Sequence, residues 1–195
     1  MNKLELLRLL SEGGFSRKII KAFAKISRES FVLPQHINLS YDDIALPLDE
    51  GATISQPSTI AFMLKLLELK GKEKILEIGS GSGYVLALLD ELTIGKIYGV
   101  EIIKNLALKS AKKLKRMTRI KVSYRDGKEG LIEHAPFDRI LVSASSKEIS
   151  KNLLNQLSEN GILVAPVRNS IFQIKKAKGK FTEKEFEGFV FVPLR

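Results

Sequence analysis

The stretch Ile75 to Tyr84 reads ILEIGSGSGY, and Gly79-Ser80-Gly81-Ser82-Gly83 within it is the first sign of chemistry. Glycines at the end of a strand let the backbone turn sharply and approach a ligand with no side chain between. A dinucleotide fingerprint needs glycines at the first, third and sixth positions. Here the fifth position is Gly83 and the sixth is Tyr84, which disfavours NAD and leaves a ligand without a pyrophosphate open. Glu101 closes the next apolar run, KIYGV, where a carboxylate can accept hydrogen bonds from both ribose hydroxyls of an adenosine. Asp126 and Gly127 follow a third run, IKVSY, well placed to meet an adenine edge. A turn, an exposed acid and an Asp-Gly loop are the structural alternatives for the three. Taken together they read as a binding site for a nucleotide-like ligand.

Such residues must be held at strand ends, and the chain supplies the strands. From Lys74 onward, short apolar runs alternate with helical stretches: KILEI, then a helix over Tyr84 to Leu92; KIYGV, then a helix over Lys104 to Met117; IKVSY, a loop, then DRILVSA; a helix over Ile149 to Leu157, then GILVAPV. This rhythm predicts an α/β fold, a doubly wound and mostly parallel sheet covered by helices on both faces. SIFQIKKA and GFVFVPL have no helix between them and predict an antiparallel edge hairpin at the C-terminal end. Upstream, Asn2 to Leu10 predicts a short helix ended by Gly13 and Gly14. Ser16 is the N-cap of a second helix through Ser27, with Ile19, Ile20, Phe23 and Ile26 as its apolar stripe. A long irregular connection leads to Pro57, which opens the next helix.

With 195 residues the chain is long enough for one domain with a proper core. It divides into N-terminal helices with a long connecting loop (1–56) and a doubly wound α/β core (57–195). There is no cysteine, which excludes disulfides, thiolate metal sites and a cysteine nucleophile. His36 and His134 are the two histidines, too few for a histidine-rich metal site, and no metal is expected. No apolar run approaches the roughly 20 residues that cross a bilayer, and the N-terminus does not read as a signal peptide. A cytoplasmic protein without a membrane partner is expected. The net charge of +10 allows a nucleic-acid partner. The other reading is a solvated helix face. Lys104, Lys109, Lys112, Lys113, Lys115 and Arg116 fall mostly opposite Leu106, Ala107, Ala111 and Leu114, so the solvated face is preferred.

The succession LEIGSGSGY, GVE, RDG and APFDRILVSA is similar to the Rossmann-like S-adenosylmethionine-dependent methyltransferases. ALPLDEGATISQPSTIAFM, just ahead of the first strand, resembles the segment that distinguishes the protein-L-isoaspartate O-methyltransferases within them. ISRESFVLP, NQLSENGILVAPV and FVFVPL agree with that family, so the resemblance runs from Ile26 to Leu194. It implies methyl transfer from S-adenosylmethionine to the free α-carboxylate of L-isoaspartyl residues in damaged proteins, a repair reaction. Ser55 then corresponds to the active-site serine, with Thr53 and Ile54 lining the pocket beside the methyl donor. Gly79, Ser80, Gly81, Ser82 and Gly83 would wrap the methionine part, Glu101 would hold the ribose, and Asp126 with Gly127 would meet the adenine. Glu77 and Ile102 complete the expected cofactor set. Gln173 lies near a glutamine that follows the family's PVG segment.

Three departures bear on the substrate side. Ser58 stands where the family often has histidine or tyrosine, Arg168 replaces the glycine of PVG, and Val142-Ser143-Ala144-Ser145 replaces VTAA. The chemistry suits the residues present, because a carboxylate with a pKa near ~4 is already ionised at neutral pH and needs no general base. The resemblance implies a methyl ester that closes to a succinimide as methanol leaves, and hydrolysis then returns part of it to aspartate. Ser55 has a structural alternative as the N-cap ahead of Pro57. Two further readings stay open: an RNA methyltransferase and a catalytically inactive cofactor-binding homologue. Against the first, DRILVSASS lacks the Asn/Asp-Pro-Pro-aromatic signature of amino-group methyltransferases.

Overall fold

A computed structural model of the chain describes residues 1–189. Its N-terminal helices begin where local capping dictates. Helix α1 (Lys3–Glu12) starts with a capping box in which Asn2 Oδ1 accepts from Glu5 N at 3.0 Å and Glu5 Oε2 accepts from Asn2 N at 2.7 Å. Helix α2 (Arg17–Lys25) is capped by Ser16, whose Oγ accepts from Ile19 N. It buries Ile19, Ala22 and Phe23 at helical spacing, and packs against the later helix α4 (Tyr84–Leu92). The long connection holds short 3-10 turns and a two-residue antiparallel ladder, β1 (Leu46–Pro47) with β2 (Thr53–Ile54). Helix α3 (Pro57–Leu66) follows, opened by its proline.

The sheet contains β3 (Ile75–Ile78), β4 (Ile97–Glu101), β5 (Ile120–Tyr124), β6 (Phe137–Val142), β7 (Leu157–Val167), β8 (Ser170–Ala177) and β9 (Lys180–Glu187). Their spatial order is β5-β4-β3-β6-β7-β8-β9, with the first five parallel and the last two antiparallel. The chain steps from β3 outward to β5, then returns to β6 on the other side of β3. That reversal opens a crevice beyond the carboxyl ends of β3 and β6, where ligands of doubly wound folds sit. Every residue of β3 is buried, as a central strand covered on both faces requires. Ile75 faces the core shared with α2, α3 and α4, whereas Leu76 and Ile78 face the core beneath α6 (Lys151–Asn155). Among the described residues no helix is long and apolar enough to cross a membrane.

The edge hairpin is present, but its second strand is Lys180–Glu187 rather than GFVFVPL. Lys178 and Gly179, both at positive φ, close the turn and fix that register. The strand is almost wholly exposed and charged, which masks it as an apolar run while protecting the sheet edge. Residues 190–195, most of the expected FVFVPL strand, lie outside the described residues. Helix α5 (Lys104–Lys113) and α6 are shorter than their apolar patterns suggest. On the apolar face of α5, Leu106, Ala107 and Leu114 are buried as expected, whereas Ala111 is exposed and Ser110 takes its place.

Candidate active site

The glycine loop leaves β3 with its start still tied to β4, because Gly79 N and Ser80 N both donate to the Val100 carbonyl, at 2.8 and 3.1 Å. Gly79, Gly81 and Gly83 all take positive φ. At Gly83 the requirement is doubled: φ is +83° and a Cβ would fall 2.7 Å from Leu114 Cδ1. The loop therefore turns tightly into α4 and leaves its backbone facing the crevice. Glu101, 5% exposed, braces it. One carboxylate oxygen accepts from Gly81 N at 2.7 Å and the other from Ile103 N at 2.9 Å. A carboxylate oxygen has two acceptor positions, so each keeps one for a vicinal hydroxyl.

Thr53, Ile54, Ser55, Glu77, Gly79, Ser80, Gly81 and Ser82 line one cleft, together with Leu48, Ile60, Met63, Tyr84, Val85, Leu141 and Ser143. The cleft is narrow, with a cavity volume of about 40 Å³ behind its open mouth. Half-buried Ile102 follows Glu101. Asp126 and Gly127 are not part of this cleft. Asp126 is exposed and accepts from Lys128 N at 2.9 Å. Gly127 is buried where a Cβ would meet Ile78 Cγ2 at 2.4 Å, and it lines a neighbouring hollow with Val142 and Ser146. Neither histidine lines the cleft, and His134 instead stacks on Tyr98.

Glu77 is the electrostatic centre. It is 1% exposed, and burial together with the nearby charge of Glu101 pushes its carboxyl up to about 8, against the pull of a hydrogen bond from Ser143. Ser143 Oγ donates to Glu77 Oε1 at 2.7 Å, while Oε2 has no partner. Among the described residues four buried side-chain atoms are left without a partner: Glu77 Oε2, Ser80 Oγ, Tyr84 Oη and Arg28 Nε. The first three belong to residues lining this cleft. Orphaned polar atoms of both donor and acceptor type mark a place for a polar ligand, since each costs free energy until satisfied. Of these, the free oxygen of Glu77 fits the ammonium of an amino-acid moiety, whereas Ser80 Oγ lies against Gly99 and the Tyr84 ring packs on Phe23 and Phe31.

Ser55 is half-buried and lines the same cleft. It does not cap α3: the residue at that position is Gln56, and Asp43 from the long connection accepts from Ser58 N at 2.8 Å. Gln56 Nε2 donates to Asp43 Oδ2 and to Ser58 Oγ, both at 3.0 Å, so Ser58 belongs to the cap. Arg168 forms the tight turn between β7 and β8 at φ +54°, the region glycine favours, and its N–H donates to the Ser146 carbonyl at 3.1 Å. Gln173 is away from the cleft, with Nε2 on the Leu66 carbonyl at 2.6 Å, where it ties down the end of α3. Two of the α5 lysines hold the connection: Lys109 pairs with Asp49 at 2.6 Å and Lys113 donates to the Ser30 carbonyl. Asp43 and Arg28 were not singled out from sequence, and Tyr84 and Ser143 were named only for the glycine spacing and as part of a departure, not as site residues. Ser143 could have been, since it sits at a strand end as Glu101 does.

A family model described as protein-L-isoaspartate(D-aspartate) O-methyltransferase matches residues 1–195. The protein-L-isoaspartate O-methyltransferase of Thermosipho melanesiensis is 45% identical over 194 residues, covering 95% of this chain and 98% of its own length. That of Dictyoglomus thermophilum is 42% identical over 193 residues, covering 96% and 87%. A solved protein-L-isoaspartate O-methyltransferase superposes with a TM-score of 0.89 at 27% identity over 98% of this chain, which spans 65% of that structure's chain.

Proposed function

The chain belongs to the protein-L-isoaspartate(D-aspartate) O-methyltransferase family, and from that membership we propose how its own residues carry out the transfer. It is an S-adenosylmethionine-dependent carboxyl methyltransferase acting on the free α-carboxylate of L-isoaspartyl residues in proteins. The observation that carries the assignment of roles is that Ser55 and the glycine loop line the same cleft.

When bound, the cofactor supplies an electrophilic methyl group. The loop from Gly79 to Gly83 would hold its amino-acid part, with the Glu77 carboxylate serving the ammonium. Glu101 would hold the ribose through its remaining acceptor positions. Ile102, Asp126 and Gly127 would receive the adenine, and Thr53 and Ile54 would flank the donor. The Ser55 hydroxyl donates to the substrate carboxylate and aims it. That carboxylate is ionised at neutral pH, so no residue has to remove a proton. Positioning of this kind can lower a barrier by roughly 7 to 11 kcal/mol.

The proposal takes residues 1–195 as one domain working in the cytoplasm, with isoaspartyl proteins rather than nucleic acid as substrate. Methyl transfer to an isoaspartyl peptide, run beside its normal-aspartyl twin, is the test.

A further inference from the structure

Arg28 lies outside the cleft and is 0% exposed. It opens the turn Arg28–Phe31 just after α2, and its fork reaches across to the long connection. Nη1 donates to the Ser40 carbonyl at 2.7 Å and the Asp42 carbonyl at 3.4 Å. Nη2 donates to the Ile44 and Ser55 carbonyls, each at 3.0 Å. The guanidinium thus spends its hydrogen bonds on four carbonyls and none on a carboxylate. Burying a cation this way is costly, and apolar side chains of similar volume often hold a core together as well or better. What the fork supplies is geometry: a planar group binds the 40–44 segment and Ser55 in one fixed relation. The same segment carries Asp43, which caps the helix that begins two residues after Ser55. Ser55 is therefore bracketed, its carbonyl held by Arg28 and the helix after it held by Asp43. Regular structure does none of this, since the connection has only two-residue strands and short turns.

We propose that Arg28 is a positioning residue for methyl transfer, fixing the Ser55 backbone so that the Ser55 hydroxyl faces the substrate carboxylate. The inference rests on the role assigned to Ser55 above. Arg28→Lys keeps the charge and loses the fork, and it is measured alone and on a Ser55→Ala background. Turnover at saturating peptide and cofactor falls roughly tenfold or more in the single variant, as expected for lost hydrogen bonds from a charged donor, with cofactor Kd within about threefold. On the Ser55→Ala background the same change costs less than about threefold, because the two residues act as one unit. Amide hydrogen exchange speeds up over residues 40–44 and 52–58 and stays unchanged in β3 and β4. Equal losses on both backgrounds, or a fall in cofactor affinity and melting temperature alone, would overturn the proposal while leaving Ser55 in place. Full turnover by Ser55→Ala alone overturns both. Where the lysine variant does not fold, Arg28→Gln carries the same cycle with the same reading.

Discussion

The Ser143 hydroxyl donates to Glu77 Oε1 at 2.7 Å, and the other oxygen of that buried carboxylate is left without a partner in the cleft. Ser143 orients Glu77 without satisfying it, so the carboxylate stays available to a cationic ligand group and unfavourable to ionise without one. Its pKa near 8 expresses that balance.

A pH dependence follows from the direction of the shift. In the unfolded chain Glu77 ionises near its ordinary value of 4.5, and in the fold near 8. Between those values the folded protein holds a proton that the unfolded chain has released, so stability falls as pH rises through that window. Glu77→Gln removes this loss. Without cofactor, its melting temperature should drop less than that of the parent between pH 5 and pH 8. Identical pH profiles would remove Glu77 as the source.

The same substitution should weaken cofactor binding by roughly tenfold or more, the worth of a hydrogen bond to a charged group. In the parent, affinity should rise with pH toward about 8 as the carboxylate becomes available, with proton release on binding. Calorimetry in two buffers of different ionisation enthalpy measures both.

Ser55→Ala should slow transfer by roughly ten- to a hundredfold at saturating peptide, with cofactor affinity within a few fold. Single-turnover kinetics separate the two effects. Unchanged turnover would take Ser55 out of the role of aiming the carboxylate.

Gly83→Ala places a methyl group 2.7 Å from Leu114 Cδ1 on a backbone at φ +83°. Strain and overpacking together should cost about 2 to 4 kcal/mol of stability. Urea unfolding measures it, and a loss under about 1 kcal/mol would show that the loop relaxes.

What could be read from sequence follows the range of the interactions. The glycine loop and the starts of α1 and α2 are set by neighbours a few residues away, and they stand where spacing places them. The cap on α3 comes from Asp43, 15 residues before Ser58, so the pattern alone could not free Ser55 from a capping role. Arg28 gave no signal because an arginine in a polar run reads as surface, and only the fold shows it buried. The strand Lys180–Glu187 escaped notice because its residues are charged and exposed, although the Lys178-Gly179 turn announced it. Gly127 obeys the strand-end rule yet lines the neighbouring hollow, since it packs on Ile78 on the far face of the sheet.

The central claim is tested most directly by labelled methyl transfer from S-adenosylmethionine to an L-isoaspartyl peptide and to its normal-aspartyl twin. Base-labile incorporation into the isoaspartyl peptide alone, reduced in Ser55→Ala while cofactor binding persists, is the predicted result. Equal background counts for both peptides, with cofactor binding intact, would contradict it.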